Sequence, residues 1–388
     1  MVKDRFKREV SRGRLLSWTK GRRLRAVTTP EDCDRGESGG LSSAAKTRVY
    51  SLSESAAWSE ALADLNMHDV YYRPGYLRSL EERGEGEALL FRYEQQECRG
   101  AHVILRRSLR NLDFRHPQVG AFDATSPYGY SGPVISDASF ASAMWASWRR
   151  EARRLGLVTE FIRFNPMKAN HRAFEATIDV EEVGETIWID LHGDIFSGLS
   201  KSTRSIVRLA RRDGVVIEQL GVDAVARFGS MYRETMRKVK SSAYYLFSDG
   251  YFLGLMKGLG EDAWLMRARV NGEDVAYALC LRHGDILHYH LGCSRVKGKD
   301  FQPTRLLLYE TAVLAQKRHC TKFHLGGGKS GEDSLFKFKA RFSDQRSKFA
   351  VGRVVHDVEA YETLEKLAYE RTGSEAHVGF FPSYRGQL

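Results

Sequence analysis

What the chain lacks narrows its class before anything present is considered. Its five cysteines, Cys33, Cys98, Cys280, Cys293 and Cys320, form no CxxC pair and leave an odd number. That pattern argues against a disulfide framework and against a structural zinc site. No stretch approaches the roughly 18 consecutive apolar residues of a membrane-spanning helix, and the N-terminal stretch has no apolar signal-peptide core. The expected setting is a reducing cytoplasm, with no membrane span. No Ser/His/Asp order, GxSxG elbow or paired-carboxylate pattern stands out, so hydrolysis through a covalent intermediate is not suggested. Gly328-Lys329-Ser330 resembles the end of a phosphate-cradling loop, but that motif needs a glycine where Phe323 stands.

The 388 residues, 42% hydrophobic and 11% aromatic, are enough for two domains with sizeable cores. The formal charge of +11 is unevenly spread: net +8 over residues 1–30, −5 over 31–185, +10 over 186–350 and −2 over 351–388. A basic second half points to a polyanionic partner or to a solvated basic surface. Residues 1–46, rich in Arg, Lys, Ser and Gly, are expected to form a disordered basic arm.

Beyond the arm the chain repeats itself. Residues 72–107 match 247–282 at a constant offset of 175 without a gap: Gly75-Tyr76 falls on Gly250-Tyr251, Leu90 on Leu265, Arg92 on Arg267 and Arg107 on Arg282. Each copy has the pattern of a helix, a glycine break and two strands (Ala88–Tyr93 and Ala263–Val270 being the first of each pair). The strands are joined by a polar turn, Asn271-Gly272 in the second copy. A helix and a strand follow, Asp137–Leu155 with Val158–Phe164 and Thr304–His319 with Lys322–Leu325. The expectation is a mixed-sheet α/β unit used twice, with domains at 47–185 and 186–388.

Several constellations carry possible chemistry. The segment 199–214 predicts an amphipathic helix whose polar face bears Lys201, Arg204, Arg208, Arg211 and Arg212, suited to a phosphate backbone or simply to water. Arg237 with the following Tyr244 and Tyr245 suits stacking of a base, or core packing. On the strand at 285–294, Leu287, Tyr289 and Leu291 are expected on one face and His288 and His290 on the other. The histidines suit a general base or a hydrogen-bonded structural role, and no third metal ligand accompanies them. The turn-rich Ser126–Pro133 loop offers Tyr128 and Tyr130 to a polar substrate, or packs them. Gly326, Gly327 and Gly328 form a turn where backbone can approach a ligand closely, and Lys337 and Lys339 follow among Phe336, Phe338 and Phe342.

In order and spacing, SPYGYSGP at 126–133, SKSTRSIVRLARRDGVVI at 200–217, the 235–252 region, HLGGG at 324–328 and LFKFKARF at 335–342 resemble the Fem family of aminoacyl-tRNA-dependent aminoacyltransferases, which build peptidoglycan bridges. GFFPSYR at 379–385 looks like an ending seen in the same superfamily. The resemblance covers about residues 48–385. It implies two tandem acetyltransferase-like (GNAT) domains, the first on the acceptor side and the second on the donor side. It also implies transfer of an amino acid from aminoacyl-tRNA, a co-substrate rather than a cofactor, to an amine of a small peptide or peptidoglycan precursor. The family's FK pair falls on Phe338-Lys339, its lysine stabilising the charge that develops in the reaction. CoA-dependent N-acyl transfer, in a cell-envelope polysaccharide or natural-product pathway, is the alternative on the same fold. The glycine-rich turn that binds CoA pyrophosphate corresponds to Ser294–Thr304, where Arg295 and Gly298 lack the second glycine, and this departure favours tRNA over acyl-CoA.

Overall fold

Alternating helix and strand signals give an α/β chain with a duplicated element order. The computed structural model describes residues 44–65, 68–110, 112, 122–295, 302–328, 331–372 and 380–386. The expected arm up to residue 43, Lys329, Ser330 and most of the Ser294–Thr304 stretch lie outside the described residues. The described residues fall into two units, one comprising the segment up to Leu77, 84–182 and the segment from Phe349 onward, the other 78–83 and 183–348.

In the first unit, β1 (Lys46–Ser51), α1 (Ser55–Ala63) and the start of α2 (Pro74–Glu82), whose residues from 78 on count with the second unit, precede the hairpin β2 (Glu87–Gln95) and β3 (Cys98–Ser108). Then come β4 (Phe122–Thr125), β5 (Val134–Ile135), α3 (Ala141–Arg154) and β6 (Leu157–Arg163). The sheet runs β1-β2-β3-β4-β6, antiparallel except where β4 meets β6. Met144, Trp148 and Ala152, at helical spacing on α3, are fully buried against Leu89, Phe91 and Ile162. Burying such a large side chain contributes about 1.5–3 kcal/mol, which is why the four-arginine cluster of α3 stays largely outside the stripe.

The second unit repeats the plan with β7 (Asp179–Asp190), which enters from the first, α4 (Ile195–Gly198), α5 (Lys201–Arg212), β8 (Val216–Leu220), α6 (Val225–Lys238) and α7 (Asp249–Leu259). The hairpin β9 (Ala263–Val270) and β10 (Glu273–His283) leads to β11 (Ile286–Ser294), α8 (Pro303–Lys317), β12 (Lys322–Gly326) and the short α9 (Ser334–Lys339). Its sheet runs β7-β12-β11-β10-β9-β8, with the single parallel pairing between β11 and β12. The duplication is realised in the backbone: β3 and β10 have the same length and boundaries 175 residues apart.

Two sequence expectations change. The segment from residue 349, expected in the second domain, belongs to the first: β13 (Arg346–Val355) pairs antiparallel with β6 over Val351–Val355. After it, Ala360, Tyr361 and Leu364 of α10 (Val358–Thr372) share a core cluster with Val158. Strict alternation along β11 also fails, because a bulge at His290 places Cys280 opposite Tyr289 but Leu279 opposite Leu291. One extra residue exchanges the faces beyond it, so Leu287 and Tyr289 pack on the main core while Leu291 follows Leu279 to the other side.

Candidate active site

The short helix α9 begins where the Asp333 carboxylate accepts the Phe336 backbone N–H at 2.8 Å, a side-chain cap that satisfies an otherwise orphaned donor. Its phase sends Phe336 into the core and Lys337 into solvent, and brings Lys339 inward, where it is 7% exposed. The Lys339 ammonium donates to the Gly327 carbonyl at 2.7 Å and lies 5.9 Å from the Tyr289 ring centroid. Burial pulls its pKa down to about 8, with Asp333 opposing the shift. A buried cation with one carbonyl partner retains donors for another oxygen.

The glycine turn is shaped by the protein itself. Gly326 sits at φ +77°, in the region that favours glycine, and a Cβ on Gly327 would stand 2.8 Å from the Glu185 carbonyl oxygen. Close backbone approach at Gly327 therefore serves an internal contact, and its product is a carbonyl fixed for Lys339. Gly328 turns toward the Asp333 carboxylate, 2.5 Å from where its Cβ would be. Phe338 packs edge-on to Phe342 at 5.5 Å between centroids and acts as a wall of the core.

On β11 and β12, His288 and His324 are both buried and their Nδ1 atoms meet at 3.1 Å. His290 Nε2 meets the Tyr251 hydroxyl at 3.2 Å, and burial together with His288 pushes this imidazole down to about 3. Tyr289, half-buried, lies over Gly292, which has no side chain to displace it, and burial raises its phenol. Alternation along β11 thus sets a Tyr289–Lys339 side against the side on which His288 meets His324.

Tyr244 and Tyr245 meet edge-on at 5.2 Å. The Arg83 guanidinium lies 4.7 Å from the Tyr244 ring and 4.3 Å from Phe247, so it already covers part of this aromatic group. Arg237 is exposed at the end of α6. In the first unit, Tyr130 is edge-on to Tyr71 and Phe349, and the Tyr128 carbonyl accepts from the Tyr76 hydroxyl; both loop tyrosines stay half-buried.

The basic face of α5 is largely engaged within the chain. Arg204 donates to the Ser197 and Leu199 carbonyls, Arg208 lies 5.0 Å over Phe196, Arg211 pairs with Glu310 at 2.7 Å, and Arg212 meets Asp213 at 3.3 Å. Lys201 projects into solvent. Sequence reasoning missed the Gly327 carbonyl and Asp333 as the fixtures of Lys339; the D-x-x-F spacing into α9 was the available signal.

Among the described residues no group of three or more His, Cys, Asp or Glu side chains is arranged to hold a metal ion, and no helix is long and apolar enough to cross a membrane. Residues 199–339 match the model of the acetyltransferase (GNAT) domain. The solved structure of FemX is similar over 82% of this chain and 99% of its own, at 14% identity and a TM-score of 0.62. A conserved protein of unknown function from Bacteroides thetaiotaomicron aligns over 79% and 99% at 10% identity and a TM-score of 0.49. The C-terminal domain of a putative lysylphosphatidylglycerol synthetase from Agrobacterium fabrum aligns over 81% and 98% at 15% identity and a TM-score of 0.48. No curated protein matches the chain. In fold, this chain resembles FemX, and its second unit carries the stretch that matches an acetyltransferase (GNAT) domain.

Proposed function

We propose that the protein is an acyltransferase that moves an amino acid from aminoacyl-tRNA to an amine on a small peptide or peptidoglycan precursor. The observation that carries this reading is Lys339, a buried ammonium held by the Gly327 carbonyl on the side of the sheet shared with Tyr289. The acceptor amine attacks the ester carbonyl carbon, a C–N bond forms, and the carbonyl oxygen becomes an oxyanion. Lys339 donates to that oxygen. Collapse breaks the bond to the ribose oxygen, which leaves with the proton shed by the amine, giving an amide and a free RNA hydroxyl. A fixed donor aimed at developing charge in a water-poor site contributes about 3–4 kcal/mol. Candidate substrate contacts remain those named from the sequence, with Tyr128 and Tyr130 toward the acceptor and Lys201 and Arg208 toward RNA.

The test is transfer of radiolabel from charged tRNA to candidate acceptors, with the donor pretreated or not with ribonuclease. Label transfer that survives the pretreatment rejects the RNA donor. CoA-dependent N-acyl transfer is the second reading, supported by the acetyltransferase-domain match over 199–339; it predicts a thermal shift with acetyl-CoA or a longer acyl-CoA, and a flat response removes it.

A further inference from the structure

A concave surface between α6 and the β9–β10 hairpin forms an open cavity of about 750 Å³ whose wall includes Arg227, Met231, Arg267, Arg269, Asp274 and Arg295. Two carboxylates already belong to one of these arginines: Arg267 is buried and pairs with Glu218 at 2.6 Å and Asp274 at 3.1 Å, while its Nε is buried without an acceptor. Glu234, near Arg295, is held by Lys238 at 2.5 Å. Among the described residues Arg227, Arg269 and Arg295 form no ion pair, and all three are exposed. Glu273 is the remaining acid of the wall. Guanidinium groups converging on a concavity repel one another and raise its positive potential. An anion presenting several oxygens relieves that repulsion through forked hydrogen bonds.

The duplicated copy supplies an internal control. At the offset of 175, Arg92 stands for Arg267 and Glu94 for Arg269. The hollow beside Arg92 is about 250 Å³ and is lined by Arg48, Glu60, Asp64 and Glu94, with Arg92 paired to Asp64 at 2.7 Å and Glu94 at 3.2 Å and Arg48 paired to Glu54 at 2.8 Å. There the charges close on themselves. In the second copy the same wall position carries the opposite charge and the hollow is larger, as a site for an external anion requires.

We propose that this cavity binds a nucleotide-sized ligand carrying two or more phosphates. Its volume lies within the usual range for small-molecule sites, and Met231 and Ala226 give it an apolar wall beside the arginines. The phosphates come either from a free nucleotide or from an RNA backbone. None of its residues is among those that hold Lys339, and the proposal does not depend on the Lys339 chemistry.

The experiment compares the full-length protein with R227Q/R269Q/R295Q and with the single Arg269→Glu exchange. Calorimetry with inorganic pyrophosphate and anisotropy with labelled uncharged tRNA are run across a salt series. The expected result is binding by the wild type in at least one arm, weakened tenfold or more in the triple variant. For RNA the log–log salt slope should also shrink by roughly one for each phosphate no longer neutralised. A loss confined to the pyrophosphate arm assigns a free nucleotide, and a loss in the tRNA arm assigns an RNA backbone. Equal binding by wild type and variants, or no binding of either probe by the wild type, overturns the proposal. The surface positions make loss of folding an unexpected outcome; should the triple variant fail to fold, Arg269→Glu alone decides, with at least a threefold loss expected in the affected arm.

Discussion

One buried charge in the second copy of the α/β plan is met differently from the buried carboxylates of the first. In the first, the fully buried Glu160 carboxylate on β6 is met by His102, by Trp148 Nε1 at 2.8 Å and by His356 at 3.1 Å. Buried Asp123 on β4 is met by Arg107 at 2.8 Å and by Arg385. These charges are neutralised by partners from elsewhere in the same unit and tie its closing segment down. In the second, buried Lys339 has a neutral carbonyl as its hydrogen-bond partner. A completed charge network makes structure; an incompletely answered charge is available for chemistry. The same scaffold thus meets Glu160 and Asp123 with ionisable partners and leaves Lys339 on a neutral carbonyl.

The largest effect that tests this contrast is on rate. Lys339→Met should lower kcat about 10²–10³-fold with little change in KM, as loss of a transition-state donor does, measured by single-turnover label transfer with melting temperature as the folding control. A comparable loss of stability instead of rate would make Lys339 structural and erase the difference between the copies. The converse exchange, Glu160→Gln, should destabilise the first unit by about 3–5 kcal/mol, because two histidines and an indole lose a charged acceptor, read from urea unfolding.

The pH dependence should follow the same division. Burial alone raises the Glu160 pKa, but His102 and His356 outweigh it and hold the carboxyl at about 2, against an ordinary 4.5. Its stabilisation is therefore fully present above the ordinary value and is lost as pH falls from there toward 2. A wild-type melting temperature that declines through this window more steeply than that of Glu160→Gln fits; parallel profiles would discount the network. For Lys339, with its pKa near 8, the cation is the active form, so kcat should fall above about pH 8. Lys339→Arg, if active, should carry that limb to higher pH. A wild-type rate that climbs steadily through pH 8 with no descending limb would assign a neutral-amine role.

The smallest expected change concerns the arginine-lined hollow. Arg269→Glu writes the first copy's charge onto the second and should reduce the salt dependence of anion binding by about one unit.

Much of this was legible in the sequence, for identifiable reasons. The duplication, the hairpins and the α3 stripe rest on local periodicity, and β9 falls at Ala263–Val270 as expected. What was hidden rests on partners far along the chain. The return of residues from 349 onward to the first unit depends on β13 finding β6. The self-engagement of Arg208 and Arg211 depends on Phe196 and Glu310. The anchor of Lys339 is a backbone carbonyl, which leaves no residue-type signature at Gly327. Charge inversion between Glu94 and Arg269 is carried by the repeat itself, at a position where the two copies differ in sign rather than agree in identity.

The bulge at His290 has a further consequence. By inserting one residue it resets parity midway along β11, so that the strand behaves as two half-strands with independent assignments of inside and outside. Before it, Leu287 and Tyr289 share the lysine side while His288 faces His324, and residues after it lead toward Arg295 and the arginine-lined hollow. A substitution on one half-strand therefore leaves the facing of the other untouched. Excising His290 would place Leu291 directly after Tyr289 and opposite Leu279 as before, so the pairing and facing beyond it would be kept while the bulge itself is lost.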